Sequence, residues 1–165
     1  QRGGGMRRRT WLAAGLALAA AGCGFKLRGA ADLHFDRIAL AGFAARSPLE
    51  QELRSALARH ATVLDAPDKA DVVLQALTEQ RRRKAAAFTA SGQVREFQFR
   101  SIFKYAVHTP AGRELIGPVQ IELYRDMTYV EVQTLGKEQE EQALFSEMQS
   151  EIVLQVLRRL SAIRL

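Results

Sequence analysis

One cysteine, one tryptophan, three histidines and four prolines are few for 165 residues, and each scarcity removes a class of protein. A lone Cys23 closes no disulfide within the chain, and with no C-x-x-C pair and three scattered His a structural zinc site lacks ligands. G-x-S-x-G, G-x-x-x-x-G-K-[ST], H-E-x-x-H and G-x-G-x-x-G are all absent, and His34, His60 and His108 fall on different segments with no nucleophile at a useful spacing. The expectation is a protein that is not an enzyme and holds no metal or other cofactor. No Gly-, Ser- or Pro-rich linker and no repeat of solenoid length follows Cys23, so one domain is the simplest partition.

The basic excess is unevenly placed. The chain has 24 Lys plus Arg against 18 Asp plus Glu, but Arg2, Arg7, Arg8 and Arg9 precede Trp11 and no acid does. Removing that segment leaves a charge of about +2, too little for a nucleic-acid polycation. Behind the arginines runs Trp11 to Ala21 without a charge, followed by Gly22 and Cys23. A basic start, a short apolar run and small residues read as a secretory signal peptide over 1–22, with Met6 as its start and 1–5 upstream of it. About 20 residues are needed to span the hydrocarbon core, so this run is too short for a permanent transmembrane helix. Ala20-Ala21-Gly22-Cys23 is similar to a bacterial lipobox, which makes Cys23 the expected lipidation site and the covalent lipid its membrane anchor. Gly24 stands where inner-membrane lipoproteins typically carry Asp, so the expected location is the periplasmic side of the outer membrane. A lipidated tether over 23–34 then leads to a domain over 35–165.

Within that domain, Ile38 and Leu40 suit a first strand. Ser47-Pro48-Leu49-Glu50 predicts a helix start with Ser as N-cap, Pro at the first turn and Glu closing a capping box; Leu49, Leu53 and Leu57 form its apolar face to about Ala61. Asp71 to Gln80 reads as a strand continuing into Arg81. From Gln93 to His108, Phe97, Phe99, Phe103, Tyr105 and Val107 share one face while Glu96, Gln98, Arg100, Lys104 and His108 share the other, the period of a half-buried antiparallel strand. Gly92 and Gly112 mark turns, and Val119, Ile121 and Leu123 form the last strand, with Pro118 favouring an edge. Leu135 to Leu160 follows helical steps through Phe145, Met148, Ile152 and Val156. The predicted fold class is α+β: two helices packed on one face of a mostly antiparallel four-stranded sheet, in the order β-α-β-β-β-α.

Arg81-Arg82-Arg83-Lys84 is the dense basic cluster of this domain. It is either a solvated strand end or an anion site, since grouped guanidinium groups make charge-assisted bonds to phosphate. Outside the inner membrane the abundant phosphates belong to lipids and lipopolysaccharide, not nucleic acid.

Gly22-Cys23-Gly24-Phe25-Lys26-Leu27-Arg28-Gly29 resembles the start of mature chains in the LptE family, the lipopolysaccharide-assembly lipoproteins of Gram-negative outer membranes. Ser91 to Phe97 is similar to that family's hairpin tip and third strand, Tyr124-Arg125-Asp126 to the end of its fourth, and Leu135 to Glu141 to the opening of its final helix. The resemblance implies a plug and assembly partner of the β-barrel LptD that binds lipopolysaccharide during its insertion into the outer leaflet. It places Lys137 at a basic position used near lipopolysaccharide. Ala90 stands where the family has an Arg, which leaves Arg82, Arg83, Lys84 and Arg95 as candidates to replace it. The alternative is an auxiliary lipoprotein of an ABC-type lipid transporter.

Overall fold

The computed structural model describes residues 32–128 and 134–165. The expected signal peptide, Cys23 and most of the expected tether lie outside the described residues. The elements are β1 (Arg37–Ala41), α1 (Pro48–Leu57), β2 (Thr62–Leu64), a 3-10 turn (Pro67–Lys69), β3 (Val72–Phe88), β4 (Val94–His108), β5 (Glu114–Thr128) and α2 (Thr134–Leu160). The sheet has five strands in the order β2-β1-β3-β4-β5. β1 is parallel to both β2 and β3, while β3-β4 and β4-β5 are antiparallel hairpins. The expected α+β class with two helices therefore holds, but the sheet is mixed and has one strand more than expected. β2 is three residues long, too short to show an alternation, and it is parallel because α1 carries the chain back across the sheet before it pairs.

Helix α1 starts as its sequence suggests, with one change. Ser47 Oγ accepts from the Glu50 amide at 3.0 Å. The Glu50 carboxylate does not reach back to close a capping box; it pairs with Arg54 at 3.2 Å, and the Ser47 amide donates to the Ala44 carbonyl at 3.1 Å. The Ser47 hydroxyl in turn donates to Glu79 on β3, so the cap also ties α1 to the sheet. The helix ends at Leu57, earlier than Ala61, and residues 58–60 continue as a tight turn in which the His60 amide bonds to the Leu57 carbonyl.

Both helices pack on the sheet face that carries Ile38, Leu40, Val72, Leu74, Phe103, Tyr105, Val107 and Ile121. Leu53, Leu57, Ile152, Val156 and Leu160 fill the space above them. Phe103 stacks between Phe43 and Tyr105, with ring centroids 5.8 and 5.2 Å apart. At Gly42 (φ +78°) a Cβ would collide with the Ala76 carbonyl oxygen, so β1 can approach β3 this closely only with glycine there. This is the root of the domain.

β3, β4 and β5 continue well past it. At about 3.3 Å per residue β3 alone is roughly 55 Å long, three times the length of β1, and its outer half forms with β4 and β5 a three-stranded arm. Only the N-terminal half of α2 accompanies the arm. There Phe99, Met127 and Met148 form a small separate cluster, with Phe145 set edge-on to Phe99 at 5.4 Å. The expected Phe97 to Val107 face is the helix-covered one throughout.

The two hairpins share one device. In each, a Thr amide donates to the carbonyl four residues on, and its Oγ1 accepts the amide of that same residue: Thr89 with Gln93 (2.8 and 3.1 Å), Thr109 with Arg113 (2.9 and 3.1 Å). A glycine of positive φ precedes the last residue both times, at Gly92 and Gly112.

Candidate functional site

The chain's basic cluster lies where β3 leaves the root. Successive strand residues point to opposite faces, and that geometry splits the four cations into two pairs with different surroundings. Arg81 and Arg83 face α2. Arg81 donates to the Gln149 side-chain oxygen and lies over the Phe145 ring at 5.5 Å; Arg83 pairs with Glu141 at 2.7 Å and lies over Phe97 at 4.9 Å. On β5, Arg125 reaches the same helix at Glu151 (2.7 Å) and Glu147 (3.8 Å). These three arginines hold α2 to the arm.

Arg82 and Lys84 face the other way, onto the side of the arm that neither α1 nor α2 covers, and neither has a hydrogen bond or ion pair among the described residues. Arg82 stands opposite Arg100 on β4, a like-charge pair that would be unfavourable without compensation. Arg100 has it: its guanidinium pairs with Glu122 and lies over the Tyr124 ring at 5.5 Å. Glu122 also accepts from the Tyr124 hydroxyl and from Gln120 at 2.9 Å. The Tyr124 bond first, and the Arg100 bond and charge after it, hold the Glu122 carboxyl below the usual range, while the same carboxylate pushes the Tyr124 phenol up. Arg100 is thus neutralised, and among the described residues Arg82 and Lys84, with Lys104 nearer the root, are the cations left available on this face.

The other candidates sit near the arm's end. Arg95 shares the face of Phe97 by alternation, is exposed, and has no partner among the described residues. Lys137, in the first turns of α2, is mostly covered: its ammonium donates to the Thr128 carbonyl at 3.0 Å and to Glu140 at 2.7 Å. An ammonium has three donors, so one is left. Arg81 to Lys84 therefore divide between the two faces, with Arg81 and Arg83 bonded on the helix side. Sequence reasoning missed Gln149 and Glu122, whose partners lie 68 residues away on β3 and 22 away on β4 respectively. Nothing local announces either.

Two further features lie in the root. The Tyr105 hydroxyl is buried with no well-formed hydrogen bond among the described residues, and burial raises its phenol above the ordinary value against the opposing pull of the nearby Arg159 guanidinium. A groove of about 280 Å³ runs between α1 and α2, with Ala56, Val153, Leu154 and Leu157 as its apolar lining and Glu52 and Arg59 at its rim. Among the described residues no helix is long and apolar enough to cross a membrane, and no group of three His, Cys, Asp or Glu side chains converges.

The architecture recurs in solved structures. An uncharacterized lipoprotein B from Nitrosomonas europaea is 30% identical over 84% of this chain and 91% of its own, with a TM-score of 0.72. The rare lipoprotein B of Shewanella oneidensis (23% identical, covering 77% of this chain and 95% of that one, TM-score 0.66) shares the fold. So does a minor lipoprotein from Acinetobacter baumannii (20%, covering 79% and 93%, TM-score 0.64). No curated protein matches the chain. The family model for LptE, described as lipopolysaccharide-assembly, matches residues 35–160, from the residue that opens the core to the last turn of α2. The chain belongs to the LptE, lipopolysaccharide-assembly, family.

Proposed function

We propose that this chain is an outer-membrane lipoprotein, anchored on the periplasmic side through acyl chains on Cys23, that serves as plug and assembly partner of an LptD-like β-barrel. In this reading it binds lipopolysaccharide during insertion into the outer leaflet, and it is neither an enzyme nor a cofactor carrier. The family match over 35–160 carries the proposal. The arm supports it physically: a long, paired sheet that extends beyond its helices offers a polar and aromatic contact surface suited to the inside of a barrel.

The anion contacts fall to cations that folding leaves available. Arg82, Lys84 and Arg95 make no ion pair among the described residues, and Lys137 retains one donor. Arg83 contributes by holding α2 rather than by meeting phosphate. Cys23 and the 1–22 signal remain part of the proposal on sequence grounds alone.

Affinity purification of the full-length chain from detergent-solubilised outer membranes tests the partner: a stoichiometric β-barrel of outer-membrane size is expected, and its absence would sink the reading. Depletion of the chain is expected to leave lipopolysaccharide short of the outer leaflet; an unchanged surface level would count equally against it. For the contacts, Arg82→Ala with Lys84→Ala should weaken lipopolysaccharide binding several-fold at low salt. Unchanged binding would reduce these two residues to solvated strand positions.

A further inference from the structure

The geometry points to Gln149 as the positioning residue that sets the register of α2 on the sheet, and through it places Lys137 at the end of β5. Gln149 is only 9% exposed, and its side chain joins three elements. Its oxygen accepts from Arg81 on β3; its nitrogen donates to Glu52 at 2.6 Å and to the Pro48 carbonyl at 3.2 Å, both on α1. Ser150 adds a bond to the other Glu52 oxygen at 2.7 Å.

The need for such a residue follows from the pattern of α2. Its buried positions form two columns of four-residue spacing, Met148-Ile152-Val156-Leu160 and Gln149-Val153-Leu157. A slip of four residues, about 6 Å along the axis, in the direction that brings Phe145 to the place of Gln149 sets Leu144, Met148, Ile152 and Val156 in the places of the first column, a change that cores tolerate. The opposite slip would set Ser161 and Arg164 in the places of Leu157 and Leu160, which the root itself resists. Apolar burial is not directional and so discriminates poorly between the two registers.

The ion pairs on the arm discriminate little better. Arg125 already reaches Glu147 and Glu151, one turn apart, and exposed pairs of this kind are weak. A slip would also trade Glu141 for Lys137 or Phe145 beside Arg83, but that pair is half-exposed and worth about 0–1 kcal/mol. Among the buried positions Gln149 is the one that breaks the repeat in the direction the apolar columns allow. A slip would put Phe145 or Val153 against Arg81 and Glu52 and leave their polar groups without a partner. A single buried polar side chain in an apolar seam fixes register in this way in coiled coils. Lys137 lies twelve residues before Gln149 on the same rod, so a slip would carry it off the Thr128 carbonyl.

The test is a spin-label distance between Ala86→Cys on β3 and Ala143→Cys on α2, in the full chain with Cys23→Ser. The parent should give one distance. Gln149→Leu should add a second, displaced by about 5 Å, in at least a tenth of the molecules and with unchanged helix content. A single native distance in Gln149→Leu overturns the proposal. Should Gln149→Leu not fold, Arg81→Met decides: a second distance supports the role and a single one refutes it. The bearing on lipopolysaccharide rests on the reading of Lys137 given above. A split register with unchanged lipopolysaccharide binding would remove Lys137 from that reading and leave the role of Gln149 intact.

Discussion

Along α2, the half that lies on the root is held by buried aliphatic side chains from Ile152 to Leu160, whereas the half that lies on the arm is held by Arg81, Arg83 and Arg125 reaching its polar and acidic residues, by the Lys137 ammonium donating to the Thr128 carbonyl, and by the small Phe99–Met127–Met148 cluster. Burial contributes about 25 cal/mol per Å² wherever it occurs, while exposed ion pairs contribute about 0–1 kcal/mol each and weaken with salt. The root is therefore the source of stability. The arm is a polar extension with a small core of its own, and it can present charged side chains because its structure asks for little burial. Sites meant to meet a partner gain from that division, since changes on the arm need not unfold the domain.

Substitutions can break or sharpen this contrast. Phe103→Ala, in the aromatic stack of the root, should cost about 3–5 kcal/mol and lower the cooperative unfolding midpoint of the whole domain; a loss under about 1 kcal/mol would show that the root is not the stability core. Met127→Ala should cost about 2 kcal/mol, and amide exchange should rise over residues 96–101 and 123–128 while the root keeps its protection. A uniform rise across both regions would deny the arm a core of its own. Thr89→Val and Thr109→Val remove the same Oγ1 bond to the backbone from the two hairpins, and Thr89→Val also removes the bond to the Ser91 hydroxyl at 2.8 Å, so losses of about 1 kcal/mol are expected with that at Thr89 the larger. A loss at one tip only would mean the tips are not a repeated device.

The smallest effects concern charge. Arg83→Ala should cost less than about 1 kcal/mol, with the loss shrinking at high salt. A salt-independent loss above about 2 kcal/mol would place arm and root on the same footing. In the root, Arg37 forks onto Asp71 at 2.6 and 3.4 Å, and that hydrogen bond holds the Asp71 carboxyl below its ordinary 3.8. A depressed carboxylate stabilises the fold above its unfolded value and loses that contribution as pH falls through the lower folded value. Asp71→Asn should therefore flatten the acid limb of the stability curve below about pH 4, and an unchanged limb would remove the pair from the account.

Several elements were legible because their signals are local. Ser47 and Pro48 start a helix wherever they stand before Leu49, Leu53 and Leu57, and the alternation from Phe97 to Val107 needs no partner to be read. β2 was not legible, since Thr62 to Leu64 becomes a strand only because β1 lies beside it. The extension of β3 from Arg81 to Phe88 was only half visible: a run of Arg, Lys and Ala has little strand preference, and pairing with β4 overrides it. The basic cluster was found as a cluster, but nothing in its order showed which two cations the helix would claim.

The chain by itself determined the α+β class, both helix faces, the hairpin turns and the likeness of its motifs to the LptE family, because capping, periodicity and turn chemistry act over a few residues. The tertiary structure decided the parallel pairing, the split of Arg81 to Lys84 between two faces, and the engagement of Gln149 and Glu122. Those depend on which strand lies beside which and on the exact half-turn at which a side chain meets a neighbour many residues away, and no local interaction encodes either.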